Sequence, residues 1–356
     1  MEYNSYRRKT RNIFVGGVGI GGSYPISIQS MTNTHTEDVE ATYLQVRALM
    51  EGGCDIVRIT VPSAESAKTI SEIKRRGIKI PIVADIHFDY KAALAAINNG
   101  ADKIRINPGN IGSRERIREV VFACREHNLP IRIGVNSGSV EEHILEKYKA
   151  PTAEALAESA LYHASILEEL DFHDIAVSVK SSNVMTMIGA NKILAERTDY
   201  PIHIGVTEAG RGNMALVKSS IGIGTLLSSG IGDTLRVSLT DEPRQEISAA
   251  KNILRALGLS GGMDIVSCPT CGRTEIDLIS LVGDFEKRVG AEGLDKKNVK
   301  VAIMGCAVNG PGEAREADVG IAGGHGEGLL FRGGKIIKKV KEDKLIDELI
   351  DEIKRF

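Results

Sequence analysis

The sequence predicts a (β/α)8 barrel with a smaller α+β domain behind it. Two observations carry this reading. A short apolar strand, a helix and a turn marked by Gly or Pro recur eight times between residue 25 and about 258, which matches such a barrel in count and in length. A glycine-rich stretch, Gly258-Leu259-Ser260-Gly261-Gly262, then separates that repeat from a tail of different character.

The predicted strands are Ile26–Met31, Ile56–Thr60, Ile82–His87, Lys103–Asn107, Ile131–Asn136, Ile175–Lys180, Ile202–Glu208 and Leu235–Thr240. Between them, segments such as Arg114–His127, Ala153–Leu170 and Glu246–Leu257 carry apolar residues at helical spacing. Strands alternating with helices give parallel βαβ units, with an open doubly wound sheet as the structural alternative. Gly17-Val18-Gly19-Ile20-Gly21-Gly22 has the spacing of a dinucleotide-binding loop, but a strand follows it rather than the helix such a loop needs. It reads as a hairpin turn ahead of the barrel. Beyond the linker come a helical stretch near Glu275–Val289, a strand Val299–Met304 and a hairpin, Leu329–Phe331 and Lys335–Ile337, turning at Gly333-Gly334. An amphipathic helix, Lys344–Ile353, closes the chain. The expected division is a barrel domain over residues 1–258, with a hairpin at about 10–24, a linker at 259–263 and a second domain over 264–356.

Composition narrows the function classes. A net charge of −2 gives no general attraction to nucleic acid or to membranes, so any cationic site must be local. Aromatic residues at 4%, without Trp, argue against base-stacking platforms. The start, Met1 to Arg8, lacks the apolar core of a signal peptide, and no segment is long and apolar enough to span a bilayer, so a cytoplasmic location is expected. Five cysteines, an odd number in a large chain, point to a reducing compartment and to use as metal ligands or core filler.

Cys268 and Cys271 form a C-x-x-C pair, and Cys306 heads a Gly/Pro loop, Ala307-Val308-Asn309-Gly310-Pro311-Gly312. Structural zinc favours four strong ligands, whereas three thiolates leave one iron of a [4Fe–4S] cube without sulfur from the protein. Glu313 is the oxygen donor at hand and Glu316 its competitor; a solvated loop carboxylate is the plainer reading of Glu313. Thioredoxin-like redox chemistry is the alternative for the pair, and it leaves Cys306 without a role. Cys54, beside a strand, and Cys124, on the apolar face of a helix, read as core filler.

Chemistry in such barrels sits where strands end. Those ends supply Gln29 and Thr32, Arg58, Asp85 and His87, Arg105 and Asn107, then Arg132 and Asn136. Lys180 and Ser181, Thr207 and Glu208, and Arg236 and Ser238 follow. Each cation alone reads as a structural ion pair. Together, Arg58, Arg105, Arg132, Lys180 and Arg236 outnumber the strand-end carboxylates Asp85 and Glu208, and buried charges need partners. The excess asks for an anion, and forked guanidinium groups suit phosphate oxygens, preferably of more than one phosphoryl group. Asn107, Asn136, Thr207 and Ser238 would add neutral donors. Glu208 is either a general acid/base near the reacting carbon or a partner that orients Arg236 or Arg211. His87 either binds phosphate or is hydrogen-bonded at its strand end.

Several motifs resemble the 4-hydroxy-3-methylbut-2-en-1-yl diphosphate synthase family, in its short two-domain bacterial form. They are Ser30-Met31-Thr32-Asn33-Thr34, Val83-Ala84-Asp85-Ile86-His87-Phe88, Arg105-Ile106-Asn107-Pro108-Gly109-Asn110 and Gly205-Val206-Thr207-Glu208-Ala209-Gly210, with Ser267 to Arg273 and Gly305 to Glu313. The resemblance spans essentially the whole chain. It implies reductive ring opening and dehydration of 2-C-methyl-D-erythritol 2,4-cyclodiphosphate in isoprenoid precursor biosynthesis. It also implies a [4Fe–4S] cluster on Cys268, Cys271 and Cys306 with Glu313 as fourth ligand, and ferredoxin or flavodoxin as electron donor. By the same resemblance Arg58, Arg105, Arg132, Lys180 and Arg236, with Asn107, Asn136, Thr207 and Ser238, hold the diphosphate, and Glu208 acts near the carbon that loses oxygen. Competing readings are a pterin- or phosphosugar-binding transferase with a zinc-stabilised second domain, and a non-catalytic redox sensor.

Chain reach adds an expectation about assembly. The eighth helix returns to the face opposite the strand ends. A five-residue linker spans at most roughly 18 Å, against a return path on the order of 22 Å for that helix. A head-to-tail homodimer, with each cysteine-bearing domain over its partner's barrel, is expected.

Overall fold

A computed structural model describes residues 6–306 and 316–356. Contacts divide the chain into two compact units between Leu257 and Gly258.

The first unit opens with an antiparallel hairpin, β1 (Ile13–Val15) and β2 (Val18–Ile20). The glycine motif is therefore part of a hairpin, as the strand after it suggested. Eight parallel strands follow: β3 (Ser27–Met31), β4 (Ile56–Thr60), β5 (Ile82–Asp85), β6 (Lys103–Ile106), β7 (Ile131–Asn136), β8 (Ile175–Lys180), β9 (His203–Ile204) and β10 (Thr234–Leu235). Their order is β8-β7-β6-β5-β4-β3-β10-β9, and a bridge between Val177 and Ile202 joins the two ends. This is the predicted barrel and not an open sheet. Consecutive strands neighbour one another because each is followed by a helix that packs back on the sheet. Several of those helices start on a side chain that accepts a backbone N–H, namely Asp38, Asp89, Thr152 and Asn183. Each such cap contributes about 1 kcal/mol.

Two strands are shorter than their apolar runs predict. β9 and β10 have two residues each, where Ile202–Glu208 and Leu235–Thr240 were expected. After Ile204 the backbone closes on its neighbour, so that a Cβ on Gly205 would lie 2.3 Å from the Arg236 carbonyl oxygen. Four residues on, Glu208 takes a left-handed φ of 51°, and a ladder cannot run through such a turn.

The hairpin stoppers the barrel at the end opposite the strand termini. Ile13, Val15 and Ile20 pack on Ile56, Val83 and Ala176, which lie at or next to the starts of β4, β5 and β8.

The second unit is a five-stranded sheet of β11 (Asp264–Ser267), β12 (Lys300–Met304), β13 (Val319–Gly323), β14 (Glu327–Arg332) and β15 (Lys335–Lys341), in that order. Its first three strands are parallel and its last three antiparallel. The helices Leu278–Ala291 and Leu345–Lys354 add Leu278, Phe285, Val289, Leu345, Leu349 and Ile353 to its core. Among the described residues no helix is long and apolar enough to cross a membrane.

Candidate functional site: a cation-lined barrel mouth

Side chains alternate across a strand, so register decides which residues share the barrel interior. Asp85 pairs with Arg105 across β5 and β6, and Arg105 with Arg132 across β6 and β7. Asn136 pairs with Lys180 across β7 and β8. These rows converge on a cavity of about 190 Å³ lined by Arg58, Arg105, Arg132, Lys180 and Arg236. His87, Asn136, Thr207 and Ser238 complete its polar wall, with Met31, Asp85 and Ser178 beside them. Gly134 makes room on β7, since a Cβ there would lie 2.3 Å from Arg105 Nε.

The carboxylates hold some of these cations and leave others facing the cavity. Arg105 Nη1 donates to Asp85 Oδ1 at 2.9 Å and Nη2 to the Gly134 carbonyl at 3.1 Å. Arg58 Nε lies 3.5 Å from Asp85 Oδ2 and 3.1 Å from the Met31 thioether. Arg132 Nη1 donates to Ser178 Oγ at 2.8 Å, while its Nε and Nη2, and Arg105 Nε, are buried with no hydrogen-bond partner among the described residues. Burial pushes the Asp85 carboxyl up, but Arg58 and Arg105 outweigh it and hold that group well below the carboxylate range. Burial and then the neighbouring arginines depress Arg58, to about 10 against the pull of Asp85, and act the same way on Arg132 and Lys180. Burial first, and mutual repulsion after it, works against the charge of these cations, and a bound anion would relieve the repulsion.

Not every strand-end residue points into this cavity. Asn107 caps the turn after β6, accepting from Gly109 N at 3.1 Å and donating to the Ser139 carbonyl at 3.4 Å. Ser181 accepts from Asn183 N at 3.1 Å in the turn after β8. Neither lines the cavity. Glu208 is exposed, next to the lining residue Thr207. Its suggested part as the partner of Arg236 falls to Glu246, whose carboxylate accepts from Arg236 Nε at 3.0 Å and Nη2 at 2.9 Å. Glu246 also accepts from Ser30 Oγ at 2.8 Å and Leu239 N at 3.2 Å. Strand-end reading missed it because it comes from the helix Pro243–Ala256. The available signal was a carboxylate at helical spacing with Pro243, Ile247, Ala250 and Leu254 on the buried face. Met31 and Ser178 were missed as well, Met31 because its side chain is apolar and Ser178 because it lies inside β8 and not at its end.

In the second unit β11 and β12 pair in parallel with Ser267 opposite Ile303. Cys268 and Cys306 therefore leave the sheet from the same edge. Gly305 N donates to Cys268 Sγ at 3.2 Å, and Glu275 N to the Gly305 carbonyl at 3.1 Å, which ties the loop carrying Cys271 to the one carrying Cys306. Cys271 is exposed, and the Arg273 backbone amide and side chain lower its thiol. Among the described residues no three His, Cys, Asp or Glu side chains are already gathered to hold a metal ion. Glu313 lies outside the described residues; Glu316, its competitor, is exposed beside Lys300 at 3.9 Å. The donor set itself fits an iron–sulfur cluster. Three thiols stand on two tied loops at one sheet edge, and one of them already accepts the N–H···S bond that such clusters use. Cys54 and Cys124 are buried fillers whose thiols burial raises, Cys54 to about 12.

Fold and site together define a (β/α)8 barrel protein with a cation-lined mouth, followed by a smaller domain that carries three cysteines. The chain belongs to the GcpE family: the family's TIM-barrel domain matches residues 10–251 and its C-terminal domain residues 264–355. It is 59% identical over 345 residues to the protein of Clostridium perfringens called 4-hydroxy-3-methylbut-2-en-1-yl diphosphate synthase (flavodoxin), covering 97% of this chain and 98% of that one. A Fusobacterium nucleatum protein of the same name is 58% identical, covering 96% of each chain. The HPPK-DHPS protein of Plasmodium falciparum shares the fold at a TM-score of 0.50 and 12% identity, over 70% of this chain and 48% of that one.

Proposed function

We propose that this chain catalyses the two-electron reductive ring opening and dehydration of 2-C-methyl-D-erythritol 2,4-cyclodiphosphate to 4-hydroxy-3-methylbut-2-enyl diphosphate. The observation that carries the reading is the cavity in which five cations outnumber the carboxylates that pair with them. The shared name of the close relatives favours this chemistry over the transferase and sensor alternatives.

Arg58, Arg105, Arg132, Lys180 and Arg236 bind the two phosphoryl groups, and Asn136, Thr207, Ser238 and His87 orient them by hydrogen bonds. Asn107 and Ser181 act one step back, by setting the turns after β6 and β8. Glu208, at the open side beside Thr207, handles the proton at the carbon that loses oxygen. Cys268, Cys271 and Cys306 would hold a [4Fe–4S] cluster with Glu313 as fourth ligand, which when bound supplies the low-potential single electrons that side chains cannot. The relatives' name points to flavodoxin as the donor of those electrons, and the free cysteines suit a cytoplasmic setting. The active unit in this proposal is a head-to-tail homodimer, with its site shared between chains.

The test is protein purified under strict exclusion of oxygen. About four irons per chain, broad absorbance near 400 nm and conversion of the cyclodiphosphate by a strong reductant are expected. Iron-free protein, or cluster-loaded protein that leaves the cyclodiphosphate unchanged, would sink the proposal.

A further inference from the structure

Beneath the arginine row lies a polar layer with no part in the steps above. Lys103 precedes Arg105 by two residues on β6, so its side chain enters the barrel on the same face, one layer nearer the hairpin. It is fully buried, and its Nζ has no hydrogen-bond partner among the described residues. Among the described residues Gln29 on β3 also leaves both amide atoms unpartnered, and His203 on β9 leaves Nε2 unpartnered, each buried inside the barrel. The charges that act on Lys103 are Arg132 from β7 and Arg58 from β4, while His203 feels Lys103 in turn. Among the described residues no carboxylate stands with them. Asp85 is taken by Arg58 and Arg105, and Glu246 by Arg236. An ammonium at this point is stripped of water and faces two guanidinium groups. Burial, then Arg132 and Arg58, accordingly push Lys103 well below the ordinary lysine value.

The charge balance gives this amine a use. The four cavity arginines, set against Asp85 and Glu246, leave an excess of two positive charges in the empty barrel even before Lys180 is counted. A cyclic diphosphate brings two negative charges. Its ring-opened product, a linear diphosphate ester, has a third ionisable oxygen. We propose that Lys103 is the proton store of this pocket: neutral when the barrel is empty, it becomes an ammonium when the diphosphate binds, and so places a positive charge behind the guanidinium row. The proton comes from solvent and goes to the Nζ lone pair, and no bond of the substrate forms or breaks. Lys180, on the cavity wall, touches the ligand directly; Lys103 acts through the field alone and is a positioning residue. The inference rests on the cyclodiphosphate reading of the cavity.

The experiment is isothermal titration of the oxidised, cluster-loaded protein with the cyclodiphosphate, without reductant, in buffers of different ionisation enthalpy. Both acidic groups of a cyclic diphosphate ionise far below neutral pH, so any proton taken up goes to the protein. The wild type should take up close to one proton more than Lys103→Met or Lys103→Gln. Its affinity should also fall more steeply with rising pH than theirs, by up to about tenfold per pH unit for each proton. Equal uptake in wild type and variants overturns the inference. So does a wild type that takes up none, a result for which no variant need fold. Tight binding without proton uptake removes this inference alone, whereas absence of binding removes the substrate reading with it.

Discussion

Arg236 reaches the barrel mouth as half of a bidentate pair, and the other half, Glu246, is 2% exposed and spends its remaining capacity on Ser30 and Leu239. Replacing Glu246 by Gln keeps the shape and removes the charge. Loss of one member of a buried pair typically costs about 3–5 kcal/mol, because the other charge stays desolvated. Urea unfolding of Glu246→Gln should show a loss of that order, and diphosphate affinity should fall at least about tenfold as Arg236 loses its aim. An unchanged midpoint and affinity would remove Glu246 from the site. Glu246 was hidden in the sequence, but most of the cavity wall was not. The five cations, with His87, Asn136, Thr207 and Ser238, were legible because a charged or polar group within or at the end of an apolar strand is costly to bury unless something binds it. Asn107 and Ser181 look identical in sequence, yet turn their side chains to capping; type and position alone do not separate a ligand-facing amide from a turn-forming one.

Legibility of the elements follows from how strongly each strand advertises itself. Strands β4, β7 and β8 have the bounds expected of them, because their β-branched runs end in a charged or polar residue. β13 was missed: Val319-Gly320-Ile321-Ala322-Gly323 is glycine-rich, and the glycine is required there, since a Cβ on Gly320 would lie 2.3 Å from the Ala302 carbonyl oxygen. β11 was missed because its four residues are half-exposed and carry no alternation. The hairpin β1–β2 was legible as a turn but not as a stopper, since nothing local marks Ile13 as the neighbour of Ile56 and Val83. That packing makes a prediction. Ile13→Ala, which opens a gap against a fully buried layer, should destabilise the protein by about 2–4 kcal/mol in urea unfolding. The site lies at the other end of the strands, so affinity for the cyclodiphosphate in the folded population should stay within about twofold of the wild type. A large loss of affinity with little loss of stability would show that the hairpin sets the site and does not merely seal the barrel.

At the scale of the whole molecule the constraint is chain length. Helix Pro243–Ala256 has 14 residues, so it carries the chain about 21 Å back from the strand ends, and the glycine-rich stretch after it spans at most about 18 Å. The proposed head-to-tail dimer rests on that mismatch: in it, the partner's cysteine-bearing domain serves the barrel mouth. Such a dimer requires each working site to draw residues from two chains. A Cys306→Ala chain keeps an intact barrel, and a Glu208→Gln chain keeps an intact set of cysteines, so mixing two inactive proteins should create one intact site per heterodimer. Random exchange yields heterodimers as about half of all dimers, and each holds one good site of two, so recovery near a quarter of wild-type activity is expected. A site built within one chain predicts no recovery at any mixing ratio. Inactive mixtures in which native mass spectrometry finds abundant heterodimer would therefore exclude the shared site and leave the barrel mouth to be served by its own chain.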